Sequence, residues 1–309
     1  MINQFKKVLF FADGAKGEQA ALSRAWALAV SNGGELVVID VVAEFSTNDT
    51  RLQSTIKDLQ NSLIKDRAVA LEALITRLPE VKGKRPAIKT LVVPGKDYIE
   101  VIKAVVRDQF DVVIKAANPK SALTSVLFSN NDIRLLHYCP CPVIVLKPSR
   151  RKKIRQILAA VDPVTEDKES IELNKSIIES AVSLAEIESA DLHVLHVWNM
   201  PLNDSTSRAH KDKLKELARS LKEDTQRKLA NLISGYSDTR LFDHLTKGSP
   251  HKVIPKFVSK NNIDVLVMGT VARSGIPGFL VGNTAEKILN QVDCSVMALK
   301  PKKWKSPIK

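Results

Sequence analysis

The sequence is poor in aromatic residues, in cysteine and in long apolar runs, and each shortage excludes a class of protein. Aromatic side chains make up 5% of the 309 residues, too few for a surface that stacks the bases of single-stranded nucleic acid. Cysteine occurs 3 times, and this odd, small number argues against a disulfide framework and for a reducing compartment. No stretch reaches the roughly 18 apolar residues that span a bilayer, and the first residues lack the longer apolar region of a signal peptide. We therefore expect a cytoplasmic protein without membrane insertion.

Positive charge is in excess, with 47 basic and 34 acidic residues and a formal net charge of +13. Such an excess suits a polyanionic partner. It is spread evenly, however, with 21 basic and 15 acidic residues in the first 150 positions and 26 and 19 in the rest. An even excess is more typical of a solvated surface than of a nucleic-acid interface, so we expect no nucleic-acid partner.

The second half of the chain repeats the first. The segment DVVIKAANPK from Asp111 matches DVLVMGTVAR from Asp264, and the same offset of 153 residues aligns Gly95 with Gly248. The sequence therefore predicts two copies of one domain. We assign the copies to residues 1–148 and 155–301, with a basic linker at 149–154 and a basic tail at 302–309.

Each copy alternates apolar runs with amphipathic segments. The apolar runs are continuous, which is typical of strands covered on both faces, and the segments between them keep helical spacing. Strands that alternate with helices pair in parallel through right-handed crossovers. The prediction is an α/β protein with two tandem doubly wound parallel sheets of five strands each.

Ligands of open parallel sheets bind beyond the carboxyl ends of the strands, where the strand order reverses. We expect the first and fourth strands to flank that point in each copy, and Asp13 and Asp162 end the two first strands. In the second copy, the loop after the fourth strand is rich in glycine, which lets a phosphate approach the backbone, and 282–284 begins a helix whose N–H groups would face an anion. The same residues could simply start a helix, with Asn283 as N-cap and Glu286 at the capping-box position. Both interpretations stay open.

The terminal aspartates of the strands, the repeated glycines and the loop after the fourth strand together resemble the universal stress proteins, in their tandem two-domain form. The resemblance covers nearly the whole chain. It implies a Rossmann-like domain, similar to that of the adenine nucleotide alpha hydrolases, and a stress-response protein that binds and signals. Nucleotide-binding members carry G-x-x-G, nine residues, and then glycine with serine or threonine. Here Gly269 and Gly282 keep that spacing, Ala272 replaces the second glycine, and Asn283-Thr284 follows Gly282.

The resemblance also implies which residues contact a nucleotide. It places the adenine and ribose contacts on Asp162, Val197, Met268 and Gly269, and the phosphate contacts on Ala272, Gly282, Asn283 and Thr284. The implied ligand is ATP or a related adenine nucleotide, in the second copy only, with Mg²⁺ present only together with the nucleotide. The corresponding loop of the first copy has no glycine, and Pro119 removes an N–H donor. We expect no triphosphate there. Lys115 and Lys120 would suit some other anion, but exposed lysines in a loop are usually solvated, and that is what we expect.

Single-domain members of the family pair through their last strands, so the resemblance implies that the two halves of this chain pair in the same way. The last strands read VIVL at 143–146 and VMAL at 296–299. An apolar strand left open at a sheet edge invites aggregation, so mutual covering is physically reasonable. A further homodimer of the whole chain stays open.

Catalysis has little support in the sequence, and we assign no catalytic residue and no metal site. His193 and His196 lie three apart in a predicted strand and face opposite sides, so they cannot share a metal. Cys139-Pro140-Cys141 is more closely spaced than the usual C-x-x-C redox pair. Its second cysteine repeats as Cys294, which is typical of small buried side chains.

Two other functions stay open beside a nucleotide-binding stress protein. The first is a slow nucleotide hydrolase or phosphoryl-transfer enzyme that uses the loop at 269–284. The second is a sensor or carrier of a lipid-like or acidic small ligand, which would occupy an apolar crevice.

Overall fold

A computed structural model describes residues 5–81, 86–118, 128–148, 153–199, 211–236, 239–271 and 282–308. The strands in this part of the chain are β1 (Lys7–Phe11), β2 (Glu35–Val42), β3 (Ala87–Pro94), β4 (Val112–Ala116), β5 (Val143–Leu146), β6 (Gln156–Ala160), β7 (Asp191–Trp198), β8 (Leu241–Lys247), β9 (Val265–Gly269) and β10 (Ser295–Leu299). They form one sheet in the order β3-β2-β1-β4-β5-β10-β9-β6-β7-β8. Pairing is parallel within each half, so the predicted doubly wound α/β architecture is confirmed.

Helices cover both faces of the sheet. They are α1 (Glu18–Ser31), α2 (Gln53–Ile75), α3 (Asp97–Asp108), α4 (Asn130–Tyr138), α5 (Lys168–Glu188), α6 (Lys211–Ile233), α7 (Pro250–Lys260) and α8 (Asn283–Leu289). One apolar layer packs α1, α2, α5 and α6 on the sheet, and the other packs α3, α4, α7 and α8. Within the described ranges, every helix is too short or too polar to cross a bilayer.

The repeated aspartates of the two halves hold the starts of the central strands. Asp111 accepts hydrogen bonds from two backbone N–H groups at the start of β1, at 2.7 and 2.8 Å. Asp264 accepts the equivalent pair at the start of β6, at 2.8 and 3.0 Å. This structural contact is sufficient to explain why both copies carry the aspartate.

The repeated glycines lie at a turn that a side chain would disturb. Gly95 and Gly248 precede α3 and α7 with φ angles of 146° and 145°, which L-residues rarely adopt. A Cβ at these positions would lie 2.6 Å from Glu100 Cγ and 2.8 Å from Val253 Cγ2. The glycines therefore serve the strand-to-helix turn in each half.

The two halves join through their last strands, as expected. β5 and β10 are antiparallel, and the paired residues are Val145 with Val296, Ile144 with Met297 and Val143 with Ala298. These side chains are almost completely buried. Beside them, Lys147 pairs with Asp293, and its backbone N–H donates to Ser295 Oγ at 3.1 Å.

A polar contact also crosses this seam between the halves. Lys300, which follows β10, is buried and donates from Nζ to the carbonyl oxygen of Leu136 at 2.9 Å. Thr270 Oγ1 donates to the same oxygen at 3.2 Å. The ring of Trp304, in the tail, has its centroid 5.1 Å from Lys300 Nζ. The last turn of α4 is thereby tied to two segments of the second half.

Charge placed on the paired strands should separate the halves. A Val145→Glu, Ala298→Glu double variant puts carboxylates at two fully buried positions, and we expect it to lose at least about 3 kcal/mol of unfolding free energy. Urea unfolding and the radius of gyration from X-ray scattering measure the effect. Val69→Glu is the control, because Val69 is 71% exposed on α2. An unchanged radius together with unchanged stability would contradict the role of this strand pair.

Acid should weaken the protein through His137. Burial, and next the charge of Lys300, lowers the pKa of His137 from 6.5 to about 4. Between these values the unfolded chain binds a proton that the folded chain does not, so stability falls as the pH drops from 6.5 to about 4. We expect a plot of unfolding free energy against pH to be flatter for His137→Gln in this window. Carboxylates titrate in the same range in both proteins, so parallel curves would count against His137.

Candidate functional site

The carboxyl ends of the central strands form a crevice in each half. β1 lies beside β4 in the first half and β6 lies beside β9 in the second, so the strand order reverses where the sequence predicts it. The loops that follow these strands are where an open parallel sheet binds ligands. The two crevices are equivalent by the internal repeat but differ in the side chains that they contain.

In the second crevice, Asp162 follows β6 and is held in place by α5. Its backbone N–H donates to Asn174 Oδ1 at 3.0 Å, and Asn174 Nδ2 donates to its carbonyl oxygen at 2.6 Å. The carboxylate is 19% exposed, and its Oδ1 lies 3.7 Å from His196 Nδ1. That ring nitrogen donates to the carbonyl of Val161 at 2.9 Å. The carboxylate thus lies at the rim of the crevice, and the two hydrogen bonds between the Asp162 backbone and Asn174 hold its loop in place.

The end of β9 supplies the next two predicted contacts. Met268 is buried and lies opposite Ala160 in the register of β6 and β9, and Gly269 follows it. A Cβ on Gly269 would lie 2.8 Å from Leu173 Cδ2, so a larger residue here would have to displace the Leu173 side chain of α5. Val197 lies on β7, the strand beyond β6, and is partly exposed.

The start of α8 differs from the sequence prediction. Gly282 is the N-cap residue, with φ −64° and ψ 123°, and Asn283 is already the first residue of the helix. The prediction of Asn283 as N-cap with Glu286 in a capping box was wrong, because Gly282 takes the extended conformation that a cap requires. Glu286 instead donates its backbone N–H to the carbonyl of Gly282 at 3.1 Å. Asn283 and Thr284 are exposed.

The fold brings most of the predicted contact residues to one edge of the sheet. Asp162, Met268 and Gly269 lie at the ends of neighbouring strands. Gly282 joins them, because its N–H donates to the carbonyl of Thr270, directly after β9, at 3.1 Å. Ala272 lies outside the described residues. Across the described ranges, no group of three His, Cys, Asp or Glu side chains is arranged to hold a metal ion.

The first crevice contains a buried lysine, contrary to expectation. Lys115 is completely buried inside β4, where its Nζ lies 2.8 Å from Asp13 Oδ2 and also pairs with Asp132. Burial alone would lower the pKa of Lys115, but the carboxylates of Asp132 and Asp13 outweigh it and raise that pKa above its ordinary value. The expectation of a solvated Lys115 was wrong, because it was placed in the loop rather than in the strand. A lysine within the apolar run DVVIKAA was the sequence signal that could have identified this ion pair.

Asp132 also gathers backbone N–H groups, as a bound anion would. Its Oδ2 accepts from Ser129 N at 2.8 Å and from Asn118 N at 3.2 Å. Its own N–H donates to Ser129 Oγ, which completes a capping box at the start of α4. The first crevice therefore carries an internal carboxylate at the start of the helix. In the second half, the repeat places Ala285 opposite Asp132 and Met268 opposite Lys115.

Other carboxylates make the first crevice unfavourable for an anion. Burial raises the pKa of Glu18, Asp40 and Asp97, and the charge of Asp13 acts in the same direction on all three. Arg67 pairs with Asp40, and it therefore neutralises part of this charge. Among the residues named here, the first crevice contains more acidic than basic side chains.

The histidines of β7 lie on opposite faces of the sheet, as predicted. His196 faces the crevice. On the other face, His193 Nδ1 lies 2.9 Å from His244 Nε2, and His193 Nε2 lies 2.7 Å from Gln156 Oε1. Burial lowers the pKa of His193 and of His244, which favours neutral rings. These contacts satisfy the histidines within the sheet and place His193 away from the crevice.

Lys115 should be essential to the stability of the first half. Lys115→Met copies Met268 but leaves Asp13 and Asp132 without their cation, so we expect a loss of about 3–5 kcal/mol of unfolding free energy. Adding Asp132→Ala, which copies Ala285, removes one buried carboxylate and should recover part of that loss. Urea denaturation of both variants measures the coupling. Lys103→Met, at a position 47% exposed, is the control, and a double variant no more stable than Lys115→Met would contradict the ion pair's role.

Comparison with known proteins agrees with the fold and with the internal repeat. The family model of the universal stress proteins matches residues 4–147 and again 153–300. A universal stress protein E homolog from Haemophilus influenzae is 25% identical over 97% of this chain and 99% of its own length.

Solved structures are similar as well. The functionally unknown protein PA1789 from Pseudomonas aeruginosa PAO1 is 25% identical, covers 97% of this chain and 94% of its own, and superposes with a TM-score of 0.72. A family member from Arabidopsis thaliana with AMP bound covers 48% of this chain and 93% of its own at 18% identity and a TM-score of 0.34, too low to transfer its ligand. Because the family model matches both halves, this chain belongs to the universal stress protein family, with two such domains in tandem.

Proposed function

We propose that this chain is a cytoplasmic stress-response protein that binds and signals, and that it takes ATP or a related adenine nucleotide in the crevice of its second domain. The first domain would serve as a structural partner with a closed crevice. In this proposal the protein acts through the occupancy of one site and does not depend on turnover.

The difference between the two crevices supports this proposal. In the first, Lys115 and Asp132 fill the ends of β4 and α4 with an internal ion pair. In the second, Met268 and Ala285 stand at the equivalent positions and bring neither charge. A nucleotide entering the second crevice therefore meets no internal carboxylate at those two positions.

The residues of the second crevice have the chemistry that such a ligand needs. The Asp162 carboxylate, 19% exposed at the end of β6, would accept hydrogen bonds from ribose hydroxyls. The partly exposed Val197 and the buried Met268 would contact adenine, and Gly269 presents backbone without a side chain. Gly282, Asn283, Thr284 and Ala272 would face the phosphates. In the alternative arrangement, Asp162 would instead hold, through water, the Mg²⁺ that arrives with the nucleotide.

The identity of the bound molecule tests the proposal directly. Freshly purified protein is denatured, and the released small molecules are identified and quantified by mass spectrometry. We expect an adenine nucleotide at about one per chain. Release of a lipid-like or acidic metabolite in that amount would overturn the proposal in favour of a carrier, and an empty protein that binds no added ATP would also overturn it.

Matched variants of the two crevices test which domain binds. Asp162→Asn should weaken ATP binding, measured by titration calorimetry, by about tenfold or more, because a charged hydrogen-bond acceptor is lost. Asp13→Asn is the equivalent change in the first domain and should leave the affinity unchanged. Thermal unfolding checks that both variants are folded, and equal losses in the two variants would contradict a site confined to the second domain.

Turnover separates binding from catalysis. Wild-type protein incubated with ATP and Mg²⁺ should release no phosphate beyond the buffer control. Phosphate release that disappears in Gly282→Val would instead indicate the hydrolase or phosphoryl-transfer enzyme, since the new side chain would block the backbone at the start of α8.

A further inference from the structure

Two cysteines meet at the seam between the domains, close to the buried Lys300. Cys139 follows α4 and Cys141 precedes β5, and their Sγ atoms are 3.6 Å apart. The spacing argued against a redox pair of the usual form, but the extended backbone at Cys139, with φ −72° and ψ 129°, brings the two thiols together. Cys139 is buried, and Cys141 is partly exposed.

A buried ammonium group from the other domain faces this thiol pair. Burial lowers the pKa of Lys300 to about 8, and the negative charges that Cys139 and Cys141 can carry act in the opposite direction. Its Nζ is anchored on the Leu136 carbonyl, which belongs to the same helix that ends at Cys139. This hydrogen bond holds the Lys300 side chain at the end of α4, directly before the thiol pair.

The environment favours a single thiolate shared within the pair. Burial alone would raise the pKa of Cys139, but the hydrogen bond with Cys141 and the charge of Lys300 together lower it. Burial, and next the interaction with Cys139, raises the pKa of Cys141, so the pair carries at most one negative charge. A thiolate beside a thiol is the arrangement that reacts in redox cysteines.

The internal repeat provides a comparison within the same molecule. Cys294 occupies the position equivalent to Cys141, at the start of β10, and the residue equivalent to Cys139 is Val292. Cys294 is buried, and burial raises its pKa to about 12. Its thiol therefore stays protonated and is expected to be inert.

We propose that Cys139 and Cys141 form a redox-active dithiol that reduces hydrogen peroxide and closes to a disulfide, with Lys300 as the residue that positions positive charge at the reacting sulfur. The thiolate attacks one oxygen of the peroxide, the O–O bond breaks, and the departing oxygen leaves as water once protonated. The sulfenic acid so formed is attacked by the second thiol. An S–S bond forms, the S–O bond breaks, and a second water leaves.

The reaction balances without any further co-reactant. Two thiol hydrogens and one hydrogen peroxide give one disulfide and two waters, and sulfur is oxidised while the peroxide oxygens are reduced. Closing the bond brings the sulfur atoms from 3.6 Å to about 2 Å apart. Cys139 and Cys141 lie in one short loop, so the change is local.

Mass spectrometry of the full chain tests the proposal. Reduced protein is treated with one equivalent of hydrogen peroxide, stopped at intervals, denatured and alkylated. We expect the peptide with Cys139 and Cys141 to become resistant to alkylation, with the mass loss of one hydrogen molecule, while Cys294 stays fully alkylated. The folded protein should react about tenfold faster than the same chain unfolded in urea. A folded rate no greater than the unfolded rate would overturn the proposal.

Variants assign the roles of the three residues. Cys139→Ser and Cys141→Ser should each form no disulfide within the chain and leave a sulfenic acid on the remaining thiol, trapped by a carbon nucleophile. Lys300→Met should slow oxidation by about tenfold, toward the rate in urea, whereas Cys294→Ser should leave it unchanged. Thermal unfolding confirms that each variant is folded. Undiminished oxidation in folded Lys300→Met would show that Lys300 has no part in the reaction.

Discussion

Two parallel five-stranded sheets in one chain each end in an apolar strand whose outer backbone groups need hydrogen-bond partners. Antiparallel pairing of β5 with β10 meets this need for both at once and turns the two sheets into one of ten strands. The other features of the seam depend on this pairing, because it brings α4 against the segments that follow β9 and β10. In a separate domain this apolar edge strand would promote aggregation, whereas here the paired edges lie in the middle of the ten-stranded sheet.

A second constraint explains how two copies of one domain came to differ. A buried charge is tolerated only with a partner, so Lys115 in β4 requires Asp13 and Asp132 around it. Asp132, paired with Lys115, also accepts the N–H of Ser129 at the start of α4 and the N–H of Asn118 in the loop after β4. The first crevice thus holds an internal ion pair at the ends of β4 and α4. The second crevice has Met268 and Ala285 at these places, and Asp162 at its rim.

The seam shows the same rule applied across the domains. The carbonyl oxygen of Leu136 accepts hydrogen bonds from the hydroxyl of Thr270 and from the ammonium of Lys300. One acceptor of the first domain therefore satisfies two buried donors of the second. Thr270 in turn accepts the N–H of Gly282 at the start of α8. The last turn of α4, the thiol pair beyond it and the second crevice are therefore connected by backbone and side-chain hydrogen bonds. The sequence does not predict this connection, because Leu136 and Lys300 lie in different domains.

The sequence by itself determined the architecture, because apolar periodicity is a local signal and the repeat at an offset of 153 residues is visible when the two halves are compared. It also located the edge of the sheet where Asp162, Met268 and Gly269 lie, since the carboxyl ends of parallel strands coincide. Only the tertiary structure decided that Lys115 is buried between two carboxylates, that Gly282 and not Asn283 caps α8, and that Lys300 faces Cys139 and Cys141. Burial and pairing of charge depend on residues far apart in the chain, and the conformation of a helix cap depends on the contacts of its flanking loop. Neither is encoded in the pattern of a single segment.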